Sequence, residues 1–133
     1  MIFFNFYFII IYIYMFNIKN MDNIHLISFN NLINDDVESF FIFLENLFSN
    51  DKCFKLIFDL TNMKTCDIIH LPRILKFMIK HKSNTIKYIE KTAIIIKSKA
   101  IKSIMDNLVF KIHPPVKPNI ITNNMNNALD FLH

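Results

Sequence analysis

From residue 24 onward, short apolar runs alternate with amphipathic stretches. The runs IHLISF (24–29), FKLIFDL (54–60), TAIIIKS (92–98) and NIIT (119–122) have the length and β-branched content of strands. The run at 54–60 is apolar on both faces except for Lys55, as expected of a central strand covered on both sides. Each run is followed by a stretch with helical spacing. This order predicts an α/β fold: a small, mostly parallel sheet of four to five strands with about four helices, in the order βαβαβαβα.

The clearest helix follows the first run. Val37, Phe40, Phe41, Leu44, Leu47 and Phe48 form one continuous stripe at i, i+3, i+4, i+7, i+10 and i+11. Asp35 with Glu38 predicts a capping-box start, and Asn50-Asp51 a break. Pro72 fits only a first turn, so the second helix is expected to begin near Leu71. Leu71, Ile74, Leu75 and Met78 should face the sheet, with Arg73, Lys76 and Lys80 outward and a polar break at 81–85. Ser98 is a favourable N-cap for a third helix with a buried stripe of Ile101, Ile104, Met105, Leu108 and Ile112. The prolines of HPPVKPN (113–119) end it. Asn123-Asn124 then caps a last helix that turns Met125, Ala128, Leu129 and Leu132 inward.

The first sixteen residues, MIFFNFYFIIIYIYMF, are apolar except for Asn5. As a helix they span roughly 24 Å, short of a hydrocarbon core of roughly 30 Å. No basic region precedes them and no small-residue cleavage site follows, so they do not resemble a signal peptide. Three readings stay open: an extension ahead of a natural start at Met21, a membrane anchor, or an extra strand or buried segment. We therefore set residues 1–20 apart as an apolar extension and assign 21–133 to one α/β domain.

Composition narrows the chemistry. The chain is 53% hydrophobic, rich in Asn, Ile, Lys and Phe and devoid of glycine, a bias expected of a very AT-rich genome such as that of a large DNA virus or an intracellular parasite. Without glycine the dinucleotide fingerprint GxGxxG, the Walker A loop and the GxSxG nucleophile elbow are excluded. There is no HExxH motif, and Cys53 and Cys66 have no ligand spacing, so no metal or other cofactor is expected. The two cysteines read as free thiols of a reducing, cytoplasmic compartment. His70 beside Cys66 and Asp67 lacks a third positioning group, and no enzyme is expected.

Charge is uneven. Residues 64–117 carry +9 and residues 1–63 carry −4, within a total of +4. The basic half suits either a solvated face or an anionic surface, so membrane contact is open through the Lys-rich face or residues 1–20. Only Arg73 among fifteen cations is an arginine, which argues against nucleic-acid recognition.

Parallel sheets meet ligands and partners at the carboxyl ends of their strands. Those ends carry Asp59, Thr61 and Asn62 after one strand and Lys97, Ser98 and Lys99 after the next. The last contributes Thr122, Asn123 and Asn124. They should converge on one rim, where Lys99 beside a helix start could hold an anion. Turn and cap formation alone also accounts for these residue types.

The stretch DLTNMKTCDIIHL (59–71) resembles the central segment of STAS domains, the fold of bacterial anti-sigma-factor antagonists and of sulfate-transporter cytoplasmic tails. In that family a strand ends in Asp-Leu-Ser/Thr-x-Val, and Asp-Ser-x-Gly-Leu opens a helix shortly afterwards. Asp59-Leu60-Thr61-Asn62-Met63 is similar to the first motif, and Asp67 and Leu71 fall on the second. NALDFL (127–132) is similar to the family's final helix. The position of the antagonists' phosphorylatable serine holds Ile68, and the glycine position holds His70, so the resemblance implies no phosphorylation switch there. It does imply a non-enzymatic regulatory or protein-interaction module meeting a protein partner through the strand-end rim and the second helix. Candidate contacts are Asp59, Thr61, Asn62, Asp67, Lys97, Ser98, Lys99 and Asn123. The related Sec14-like architecture, which binds lipids or small ligands, is the alternative.

Overall fold

The computed structural model describes residues 17–21, 23–28, 34–64, 69–112 and 117–133. Five strands form one sheet in the order β1-β2-β3-β4-β5. They are β1 (Asn17–Met21), β2 (Ile24–Ser28), β3 (Phe54–Asp59), β4 (Ile89–Ile95) and β5 (Asn119–Thr122). β1 pairs antiparallel with β2, and β2 through β5 are all parallel. The expected central strand is therefore central. Residues 17–20, set apart above as part of an extension, belong to the sheet as its edge.

Helix α1 (Asn34–Ser49) connects β2 to β3. Its predicted stripe is the heart of the core: Val37 and Leu44 are fully buried, Phe40 and Phe48 nearly so, and Phe41 and Leu47 pack against them. Glu38 does not close a capping box. It accepts a hydrogen bond from the Arg73 guanidinium of the next helix. After the helix the glycine-free chain uses Asp51 at φ 55° for a left-handed turn, a conformation short polar side chains tolerate. The Tyr88 hydroxyl donates to Asp51 Oδ1 at 2.7 Å.

The second crossover differs from expectation. Helix α2 (Leu71–Lys80) begins as Pro72 dictates, and Phe77, absent from the predicted face, is buried; the side chains of Leu71 and Leu75 lie outside those described. Phe77 stacks on Phe41, with ring centroids 4.2 Å apart and planes 4° apart. Ile74 and Met78 pack beside it as expected. Residues 81–85 are not a polar break: only His81 interrupts the helix, and α3 (Lys82–Tyr88) follows. The strand then opens at Ile89 and closes at Ile95, rather than spanning 92–98. β-Branched Ile89, nearly fully buried, favours the pleated surface over another helical turn.

The third crossover opens with α4 (Lys99–Ile104), continues through a π-helical turn (Met105–Val109) and ends in α5 (Phe110–Ile112). In the π turn the Phe110 N–H donates to the Met105 carbonyl. Through this turn Phe110 packs against the core that holds Ile101 and Met105, while the side chains of Leu108 and Ile112 lie outside those described.

Helices α1 to α4 cover one face, packing on Ile27, Phe54, Leu56, Ile94 and Ile96. Strand neighbours follow chain order, so right-handed crossovers all return over that face. The opposite face holds Ile24, Ile57, Ala93 and Ile95 under the final helix α6 (Met125–Leu132), whose Ala128 and Leu132 are fully buried. His25 lies edge-on to Phe43 and Phe54, and burial pushes its imidazole pKa below the usual value. Among the described residues no helix is long and apolar enough to cross a membrane.

Candidate functional site

Strand register builds the rim. Ser28, Asp59, Ile95 and Thr122 are successive partners across β2, β3, β4 and β5, so the carboxyl ends finish at one level. The ladder runs one step further: Leu60 N–H donates to the Ile95 carbonyl and Ile96 N–H to the Thr122 carbonyl, both at 2.9 Å. Beyond this level the chain must turn, which leaves polar residues facing solvent.

The rim divides into two groups. In the first, Asp59 Oδ1 accepts the Thr61 backbone N–H at 3.0 Å and the Thr61 hydroxyl. This local turn holds the carboxylate close to its own backbone and leaves Asn62 exposed. In the second, Lys97, Ser98, Lys99 and Asn123 line one half-open pocket of about 360 Å³, completed by Ile96, Lys102, Ile121 and Thr122. Asp59 and Thr122 are separated by strand β4, roughly 10 Å at the usual strand spacing, so the two groups are neighbours rather than one cluster. Asp67 lies outside the described residues, as do Cys66 and Ile68.

The pocket wall is fixed by capping. Ser98 Oγ accepts the Ile101 N–H at 3.3 Å, and Asn124 Oδ1 accepts the Asn127 N–H at 2.8 Å. These bonds satisfy helix-start donors and set the directions in which α4 and α6 leave the sheet. Ser98→Ala is therefore expected to destabilise the fold by about 0.5–2 kcal/mol in urea unfolding, with Ser98→Asn close to wild type. Equal stability of the alanine variant would remove the capping role.

Lys102, which the rim reading omitted, joins the pocket. Its position one turn after Lys99 and four residues after Ser98 could have found it, since such spacings share a helix face. Its Nζ is 3.6 Å from Asp106 Oδ2 on the following turn. Three lysines converge on the pocket, and none of its lining residues is acidic. The described residues contain no group of three or more His, Cys, Asp or Glu placed to hold a metal ion.

No family model matches the chain, and no curated protein does. Among solved structures, the chain is similar to an uncharacterized protein of the DUF3478 family with a SpoIIAA-like fold, from Shewanella loihica PV-4. The similarity has a TM-score of 0.60 over 89% of this chain and 92% of that one, at 17% identity. The fold is STAS-like. The parallel βαβ core and final helix inferred around DLTNMKTCDIIHL stand within that fold, with the antiparallel strand β1 at its edge.

Proposed function

We propose that the chain is a non-enzymatic STAS-like module that recognises a protein partner through the rim at the carboxyl ends of its parallel strands. One observation carries the reading. Lys97, Ser98, Lys99 and Asn123 come together from two loops around one open pocket, with Ser98 also capping α4. Exposed lysines around a shallow apolar base suit an acidic protein surface, where complementary charge sets encounter rate and specificity. The Sec14-like alternative calls for an enclosed apolar cavity around a lipid tail, whereas this pocket is half-open and ringed by three lysines.

The test is affinity capture from cells that express the chain, comparing wild type with Lys97→Glu/Lys99→Glu. Both lysines are exposed, so the fold should be retained. A protein held by wild type should be recovered at least about tenfold less by the variant. The same proteins recovered in equal amounts, or none with either chain, would overturn the rim reading.

A further inference from the structure

We propose that the outward face of α2 and α3 docks on an anionic lipid bilayer. The second helix was expected to share a protein contact with the rim, but its exposed residues are distinct from those that line the rim pocket. Ile69, Pro72, Lys76, Ile79, Ser83 and Ile86 follow one another at spacings of three and four, and all six are exposed. Ile69 is 76% exposed, Ile79 53% and Ile86 47%. His81 joins the two helices: its N–H donates to the Phe77 carbonyl at 3.0 Å as α2 ends, and its carbonyl accepts from Thr85 at 2.9 Å as α3 begins. Each helix thus exposes isoleucine and lysine while burying an aromatic, Phe77 in α2 and Tyr88 in α3.

Charge selects the occupant. Residues 68–89 contain five cations and no Asp or Glu. Carboxylates from α1 and its following turn meet one edge of the helices: Glu38 pairs with Arg73, Glu45 lies 3.6 Å from His81 Nε2, and Asp51 lies 3.9 Å from Lys87. Lys76, Lys80 and Lys82 are exposed and lie outside the described ion pairs. Protruding isoleucines among unneutralised lysines match the interface of an anionic membrane, where the side chains insert and the ammonium groups meet lipid phosphates. A partner helix packing as a coiled coil would instead require apolar residues at 76 and 83, which hold Lys and Ser.

The experiment is flotation of the full chain with vesicles of pure phosphatidylcholine and with vesicles containing about one third phosphatidylserine. Partitioning onto the anionic vesicles should exceed that onto neutral ones by about a hundredfold at low salt, as three lysines near the surface imply, and should fall as salt is raised. Lys76→Glu/Lys80→Glu/Lys82→Glu should abolish the preference. Ile79→Ser/Ile86→Ser should weaken anionic binding by about tenfold while leaving circular dichroism unchanged. The apolar residues 1–16 cannot mimic this result, because their contribution would not depend on lipid charge or on these substitutions. Equal partitioning onto both vesicles, no partitioning, or a preference surviving the charge reversal would overturn the proposal. So would vesicles left unbound while the triple variant loses a captured protein, which would assign the face to a protein.

Discussion

Replacing Phe40 with alanine is expected to remove about 3–5 kcal/mol of folding stability. The ring is 2% exposed and stands edge-to-face with Phe58 of the central strand, centroids 5.6 Å apart and planes at 78°. The Phe41 ring is tilted against it, centroids 6.0 Å apart. Truncation deletes the transfer free energy of the ring, leaves a cavity between helix and sheet, and forfeits an aromatic pair worth about 0.5–1.5 kcal/mol beyond its area. Domains of this size carry about 5–15 kcal/mol in total, so the variant should be marginal at room temperature. Urea unfolding should show a much lower midpoint with an unchanged slope. Ile42, two residues along the same helix but 48% exposed, supplies the control: Ile42→Ala should stay within about 0.5 kcal/mol of wild type. A Phe40 variant losing less than about 1 kcal/mol would show that α1 does not anchor the core.

Phe40 was legible in the chain because period and burial agree along α1. The same holds for β3, whose uninterrupted apolar run can sit only between two covered faces, and for the starts fixed by Pro72, Ser98 and Asn124. Residues 82–91 were not legible. Lys-Ser-Asn-Thr-Ile-Lys-Tyr-Ile-Glu-Lys satisfies neither a strict alternation nor a long helical stripe, and the helix-to-strand change at Ile89 is decided by pairing with Phe54. Phe77 lies off the stripe that Ile74 and Met78 mark, and its burial comes from stacking on Phe41, a contact with another helix that local spacing does not carry. β1 has little apolar pattern of its own, and its partner β2 makes it a strand. At the rim, strand direction alone brought the right polar residues to one end. The separation of the Asp59 turn from the lysine pocket depends on β4 running between them, a matter of register that no local pattern carries.

The sheet's second face leads to the other large effect, because crossovers that all return on one side leave the opposite side to α6 alone among the described helices. Eight residues are too few for a helix to persist in water, so α6 exists by virtue of docking. Ala128 and Ala93 are both fully buried, and their small side chains let helix and strand approach closely, with Leu132 filling the end of the contact beside Ile57 and Ile95. Lys91 holds the same end, its Nζ donating to the Phe131 carbonyl at 3.1 Å and lying 5.2 Å from the Phe131 ring centroid. Leu132→Ala should therefore cost about 2–5 kcal/mol. The loss should first appear locally: amides of Asn127–Phe131 should exchange faster by hydrogen exchange before α1 amides respond, since a weakly held terminal helix opens without the rest of the domain. Asp130, exposed on the same helix, should tolerate alanine within about 0.5 kcal/mol. If Leu132→Ala instead left α6 amides as protected as in wild type, the second face would not depend on this helix.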